Sequence, residues 1–180
     1  CRASNYIFLL RKALKKAGYG DIPVISLNLS GLESDSAFKI PLPMLKKMAV
    51  CLIYGDALML LNNQVKPYEK QQGESLRLVQ QWVDKIIAQF NQHQGTSMPQ
   101  MSANLQQIVD SFAQIPVKYT PKVKVGVVGE IYVKYASLGN NNLEDFLAEQ
   151  DCEVMIPGMM DFVLYSVDNV VERTRLYGGD

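Results

Sequence analysis

Residues 122–158, KVKVGVVGEIYVKYASLGNNNLEDFLAEQDCEVMIPG, contain the pattern from which the fold can be predicted. A β-branched run from Lys124 to Val128 stops at Gly129, which is typical of a short, buried parallel strand. After a loop, the segment LEDFLAEQ carries apolar residues at helical spacing. A second apolar run, Glu153 to Ile156, then ends at a Pro-Gly pair. Strand, helix and parallel strand together predict a β-α-β unit in an open α/β layer.

Three asparagines, Asn140 to Asn142, precede the helix of this unit. With Asn141 as the N-cap, Glu144 falls at the third helical position and completes a capping-box pattern. One asparagine is therefore predicted to be a structural cap. The others are candidate contacts to a ligand or an adjoining domain, and we take Asn140 and Asn141 as candidate cofactor-binding residues.

The whole chain divides into three regions by its periodicity. Residues 1–39 predict a helix and then a strand from Ile22 to Leu29, which is half of an α/β lobe. Residues 40–115 predict a helical segment in which Trp82 anchors the packing and Ser102 caps the last helix. Residues 116–180 hold the β-α-β lobe and a final helix. We therefore predict an α/β fold with Rossmann-like or flavodoxin-like pieces of open parallel sheet at both ends and a helical middle.

The composition excludes several classes of protein. Eighteen basic and eighteen acidic residues give zero net charge, which gives no electrostatic reason to expect nucleic acid or an anionic membrane as a partner. The apolar runs are too short to span a membrane. Cysteines at positions 1, 51 and 152 lack zinc-like spacing and suit a reducing, cytoplasmic compartment. The start at Cys1, without an initiator Met, indicates a piece of a longer polypeptide.

The most distinctive polar position after the first predicted strand is Glu130. Ligands of open α/β sheets bind beyond the carboxyl ends of the strands, so we take Gly129 and Glu130 as candidate cofactor-binding residues. The segment from Gly126 to Glu130 lacks the third glycine of a dinucleotide loop and the Gly-Lys-Ser/Thr of a P-loop. A tight turn at Gly129 and a local hydrogen bond from Glu130 are the structural alternatives.

Two motifs resemble one family. CRxxNY at residues 1–6, followed by a helix and PVISLNLSGLE, resembles the segment after the Gly-Pro-Cys-Arg loop of 2-hydroxyglutaryl-CoA dehydratase D-component-like domains. VGEIYVKY…NNNLEDFL, within residues 125–162, resembles large acyl-CoA dehydratase activase-related proteins, the CoA-substrate-specific enzyme activase family. The resemblance covers both ends of the chain, and the helical middle only loosely.

The resemblance implies a cytoplasmic protein of anaerobic bacteria whose relatives transfer single electrons and remove water from 2-hydroxyacyl-CoA esters. It implies an iron–sulfur centre, for which Cys1 is the candidate metal ligand; a 4Fe-4S cluster needs about four ligands, so most would lie outside this piece. Cys51 and Cys152 are interpreted as buried, apolar side chains. Nothing in the chain resembles the ATPase module, so no ATP is predicted here.

Two hypotheses follow for the function. The first is a module that assists electron transfer to a CoA-type ligand, or binds such a ligand, together with neighbouring domains of the same polypeptide. On this hypothesis the chain is not a complete enzyme by itself, and its catalytic residues are unknown. The second is a non-catalytic docking or regulatory domain, for which an exposed apolar patch near the sheet edge would be the expected sign.

Overall fold

The computed structural model describes residues 5–24 and 41–178, and the Cys1 prediction and most of the Ile22–Leu29 strand lie outside them. The chain divides into two compact units, Cys1–Leu45 and Lys46–Asp180. In the first unit, helix α1 spans Tyr6–Lys16 and has no buried residue. Arg11 donates a hydrogen bond from Nη2 to the carbonyl of Val24 at 3.2 Å, which ties the segment after α1 back to the helix.

The helical middle predicted from periodicity is present. Helix α2 spans Leu42–Val65, α3 spans Glu74–Asn91 and α4 spans Met98–Ala113. A short 3₁₀ helix, Lys66–Tyr68, follows α2 directly. α2 continues through Asn62 and Asn63 to Val65, because asparagine is tolerated inside a helix. The chain turns at Pro67, which lacks an N–H donor.

The helical core lies where these three helices meet. Trp82 is buried as predicted, and its indole N–H donates to Ser111 Oγ at 2.9 Å. Ile108 of α4 is fully buried at the centre. The buried members of this core are Val50, Tyr54, Leu58, Trp82, Ile86, Ile108, Phe112 and Ile115.

A polar network crosses the helical core. Asn104 donates to Tyr54 Oη at 3.0 Å and to Gln89 Oε1 at 2.7 Å, while Gln89 donates back to Asn104 Oδ1 at 3.2 Å. Tyr54 Oη in turn donates to the carbonyl of Gly95 at 2.8 Å. Each buried polar group in this network therefore has a partner, as burial requires.

The cap of α4 differs from the prediction. Ser97, not Ser102, is the N-cap, and its Oγ accepts the N–H of Gln100 in a capping box. Pro99 falls in the first turn, where its missing N–H has no cost. The helix therefore starts five residues earlier, and Ser102 lies inside it.

The β-α-β region has its two strands in parallel. Strand β1 spans Val123–Gly126 and β2 spans Cys152–Met155, with Val125 opposite Val154. Helix α7, Leu143–Glu149, lies between them in sequence as predicted. The predicted loop before it instead contains two short helices, α5 at Ile131–Tyr135 and α6 at Ser137–Asn140.

A second, smaller core lies against this strand pair. Val127, Val154 and Ile156 are buried there, and Met59 of α2 packs on them together with Leu143 and Leu147 of α7. The final helix, α8, spans Met159–Tyr177. Among the described residues the sheet has two strands only, so the fold is mixed helix and strand, with helix predominating.

Candidate functional site at the strand edge

The carboxyl ends of β1 and β2 form one edge, and each strand leads into a helix there. Val127 still donates to the carbonyl of Met155 at 2.9 Å, and then the chain turns at Gly129 into α5. Gly129 has φ of 145°, a conformation that L side chains rarely adopt, while a Cβ would meet nothing within 4 Å. The backbone turn therefore requires glycine at this position, whereas space alone does not.

Glu130 is the N-cap of α5. Its Oε2 accepts the backbone N–H of Tyr132 at 2.9 Å, which is the local bond considered from the sequence. Its Oε1 is buried and has no hydrogen-bond partner. A buried carboxylate oxygen without a donor is costly, so this atom can still accept an N–H or O–H group.

Lys134, one helical turn after Glu130, was missed by the sequence analysis. It is only 7% exposed, which is unusual for a lysine. Its Nζ donates to Tyr135 Oη at 3.3 Å and lies 4.8 Å from the centre of the Tyr135 ring. Tyr135 Oη is held in place by a short hydrogen bond to the carbonyl of Pro157, at the end of the second strand.

The Lys134 ammonium has no carboxylate partner among the described residues. Three donors on Nζ are met by one hydroxyl and one aromatic ring, although burial normally requires a charge to be paired. The sequence contained one signal for Lys134: it follows Glu130 by four residues, and residues four apart share one helix face.

The asparagine run has a different role from the predicted capping box. Asn142, not Asn141, is the N-cap of α7, and its side chain makes no cap bond. Asn140 provides the cap from further back, accepting the N–H of Leu143 at 3.2 Å. Asn141 and Asn142 have φ of 56° and 55°, a left-handed conformation that asparagine tolerates better than most residues, and this turn moves the helix start by one residue.

Three of the predicted site residues lie close together. Asn140 Nδ2 donates to the carbonyl of Lys134 at 3.4 Å, which links the asparagine turn to the helix that begins at Glu130. Gly129 and Glu130 are adjacent at the strand edge. Asn141 is exposed, and Cys1 lies outside the described residues. We refer to Glu130, Lys134 and Tyr135 as the edge cluster.

The described cysteines do not fit a metal cluster. Cys51 lies on α2 and is exposed, and Cys152 lies on β2 and is half-buried, so the prediction that both are buried apolar side chains was wrong. Desolvation raises the pKa of the Cys51 thiol, with Lys47 opposing the shift. Within residues 5–24 and 41–178, no group of three His, Cys, Asp or Glu side chains could hold a metal ion. Cys1 as an iron–sulfur ligand stays a prediction.

A cleft of about 510 Å³, which was not predicted from the sequence, lies at the opposite end of β2. Lys66 and Asp145 form an ion pair of 3.6 Å there, and both side chains are well exposed. A smaller adjoining void is lined by Asn62 and Asn63, and Asn62 Oδ1 and Asn63 Nδ2 have no hydrogen-bond partner there. The cleft is lined by Lys66, Pro67, Glu69, Gln72, Gly73, Asp145, Ala148, Glu149, Asp151 and Cys152.

Most carboxylates around this cleft already have structural roles. Glu69 accepts the backbone N–H groups of Gly73 and Ser75, each at 2.7 Å, and so caps α3. Asp151 pairs with Lys122. Desolvation raises the pKa of Glu144 in the adjoining void, with Asp145 adding to the shift and Lys66 opposing it. The edge cluster is therefore the stronger candidate site: Glu130 Oε2 caps α5, but Glu130 Oε1 has no hydrogen-bond partner, and the Lys134 ammonium has no carboxylate partner among the described residues.

Compared with protein-family models, with curated proteins and with solved structures, the chain has no match. In the part of the chain that the structure describes, no helix has the length and apolar character needed to cross a bilayer. The activity must therefore be argued from the residues of the site itself.

Proposed function

We propose that the chain is a Rossmann-like α/β module of a cytoplasmic 2-hydroxyacyl-CoA dehydratase/activase-related system. In this system it helps to bind a CoA-type ligand together with neighbouring domains of the same polypeptide. The paired motifs at residues 1–6 and 125–162 support the family, and the edge cluster supports the ligand. Assistance in electron transfer belongs to the same proposal through Cys1, and no ATP site is assigned to this piece.

The observation that carries the ligand proposal is Lys134: the residue is largely buried, and its ammonium has one hydroxyl partner and no carboxylate partner among the described residues. A cation removed from water loses solvation free energy that one hydroxyl at 3.3 Å only partly replaces. An anionic group brought to the strand edge would supply the missing partner. CoA offers such groups in its phosphates, and lysine binds phosphate as a point charge.

Glu130 complements this ammonium. Its unpaired Oε1 can only accept hydrogen bonds, so it suits an amide N–H or a hydroxyl of the ligand. As a carboxylate it repels a further negative group. CoA esters carry amide N–H and hydroxyl groups along the pantetheine arm as well as phosphates. A cation and a carboxylate one helical turn apart therefore suit a ligand with both kinds of group.

Titration calorimetry of the chain with coenzyme A tests the proposal. Lys134→Gln removes the charge at similar length, and Lys118→Gln makes the same change at an exposed lysine. We expect the Kd for coenzyme A to rise at least 10-fold in Lys134→Gln and less than twofold in Lys118→Gln. Absence of heat at millimolar coenzyme A, or equal weakening in both variants, would reject the ligand.

A second function, docking to a partner, is favoured by α8. None of its residues is buried, and Leu164, Val167 and Val170 are 60–65% exposed. The helix begins directly after the strand edge, which is where the docking hypothesis places an apolar patch. Helices in proteins gain most of their stability from packing of an apolar face, so α8 needs a covering surface. Binding of the dye bis-ANS should fall in Val167→Glu and not in Tyr165→Glu, and equal binding in both would exclude this surface.

A further inference from the structure

One face of α8 carries mostly apolar residues at a regular spacing, of which Met160 is half-buried and the others are exposed; Phe162, Tyr165 and Leu176 are exposed outside this face. Six positions alternate at intervals of three and four residues, which is the repeat of two helices packed side by side. We call them the α8 seam: Met160, Val163, Val167, Val170, Thr174 and Tyr177. The Thr174 hydroxyl is already bonded to the carbonyl of Val170 at 3.0 Å, so it does not need a polar partner. Tyr165 lies on the opposite face by the same count.

The seam is complementary to itself in the antiparallel direction. We infer that α8 pairs with the α8 of a second copy of this chain, about a two-fold axis midway between residues 168 and 169. That axis places Val167 opposite Val170, Val163 opposite Thr174, and Met160 opposite Tyr177, each twice. A two-fold interface has to be complementary to itself in this way. Beside the seam, Leu164 is level with residue 173 of the other copy, two residues from Val171.

The charges of α8 favour the antiparallel orientation. Asp161 and Asp168 lie in the first ten residues, whereas Arg173 and Arg175 lie in the last five, with Arg175 also 3.4 Å from Glu172 of its own helix. The proposed register brings Asp161 level with residue 176 of the other copy, beside Arg175. A parallel pair would instead place each of these residues beside the same residue, with the same charge, in the other copy. Such exposed contacts add little affinity, but like charges side by side oppose the wrong orientation.

The exposed apolar area approaches that of a specific interface. On and beside the seam, six apolar side chains are 40–80% exposed: Val163, Leu164, Val167, Val170, Val171 and Tyr177. These fractions correspond to roughly 700 Å² on each copy, which is the most that the six residues can bury and slightly less than the ~800 Å² that each partner gives to a standard interface. The inference rests on the docking function proposed above and names its partner.

The test is the mass of the whole chain in solution, measured by sedimentation equilibrium over a concentration series. The wild-type chain should approach twice its 20.2 kDa mass. Val167→Glu should weaken self-association at least 10-fold, since it buries a carboxylate at the axis. Tyr165→Glu, with the same charge change on the opposite face, should behave as wild type. Both positions are at least 60% exposed, so neither variant depends on core packing to fold.

The outcomes distinguish pairing of two copies through α8 from docking of a different partner on α8. A monomeric wild-type chain at about 100 µM, far above a micromolar Kd, rejects the second copy as partner. If that monomer still binds bis-ANS in a way that Val167→Glu reduces, the docking surface stands and only its partner is wrong. Equal dissociation by Val167→Glu and Tyr165→Glu overturns the seam.

Discussion

The carboxylate of Asp56 and the backbone of Met160 are joined by a 2.7 Å hydrogen bond, although the residues are 104 positions apart. The other carboxylate oxygen of Asp56 accepts the N–H of Met159 at 2.8 Å. The first N–H groups of a helix have no partner within it, so α2 supplies a partner to the start of α8. The point at which α8 begins, next to the strand edge, is therefore fixed by one side chain of α2.

Asp56→Ala should destabilise the second unit. The two N–H groups of α8 lose their acceptor, and loss of hydrogen bonds to a charged group costs about 1–3 kcal/mol. Urea unfolding followed by circular dichroism measures the change. Asp110→Ala, at an exposed aspartate that accepts only from Gln106, should change stability by less than about 0.5 kcal/mol. Equal effects in both variants would mean that the Asp56 contacts do not stabilise the fold.

Gly158→Ala should also be destabilising, for a reason that depends on Asp56. A Cβ at Gly158 would lie 2.7 Å from Asp56 Oδ2 and 2.9 Å from its Cγ, closer than real contacts allow. The backbone conformation itself, with φ of −60°, accepts alanine. Removing the Asp56 side chain removes the clash, so the unfolding free energies of Gly158→Ala and Asp56→Ala should be less than additive when combined. Strict additivity in the double-mutant cycle would exclude the clash.

Ile108→Ala should cost about 2–5 kcal/mol, because it leaves a cavity at a side chain with no exposed surface. Ile87→Ala, on α3, is the matched control, since Ile87 is 53% exposed. The control should lower the free energy of unfolding by less than about 1 kcal/mol. A loss at Ile108 no larger than the loss at Ile87 would place the helical core elsewhere.

The hydrogen bond from Tyr68 Oη to Glu153 Oε2, 2.5 Å long, should make stability depend on pH at both extremes. It raises the pKa of Tyr68 to about 12 and lowers the pKa of Glu153 below its usual range, being the largest cause of each shift. The Glu153 contribution is present above the unfolded pKa of about 4.3 and is lost as pH falls through the lowered value. The Tyr68 contribution is present below about 10 and is lost as pH rises toward 12.

Urea midpoints measured across pH check this dependence. Tyr68→Phe should flatten the alkaline limb of the stability curve and reduce the acid limb, where Lys124 still lowers the pKa of Glu153. Tyr119→Phe removes an exposed hydroxyl whose ring lies 5.0 Å from that of Tyr68, and it should leave both limbs in place. If the urea midpoint of Tyr68→Phe still falls at alkaline pH as in the wild type, the alkaline dependence belongs to other groups.

The sequence predicted those elements whose pattern is local. The parallel pair β1 and β2, helix α7 and the buried Trp82 all follow from runs of apolar residues, and the structure contains each of them. The short helices α5 and α6 were missed because four or five residues carry no helical period. The start of α4 at Ser97 was missed although Ser97 and Gln100 have capping-box spacing, because Ser102 lay nearer to the apolar residues.

The candidate site could be predicted only in part. Glu130 and Gly129 follow from their position after a strand, which is a local signal. The burial of Lys134 depends on Tyr135 and on the carbonyl of Pro157, 22 residues further along. The contact of Asp56 with Met160 likewise depends on how distant elements meet, and a single sequence does not encode such a distance in any periodicity.

Lys134→Met should stabilise the ligand-free chain while it weakens coenzyme A binding. Methionine has the same helix propensity as lysine and fills a similar volume, so the change mainly removes a buried charge that lacks a carboxylate. We expect a gain of about 1 kcal/mol in the free energy of unfolding, of the size found when a strained functional group is replaced. Lys118→Met, at an exposed lysine, should be neutral in the same urea titration. A loss of stability in Lys134→Met would mean that its ammonium is already well paired, and the argument for an anionic ligand at the strand edge would fail.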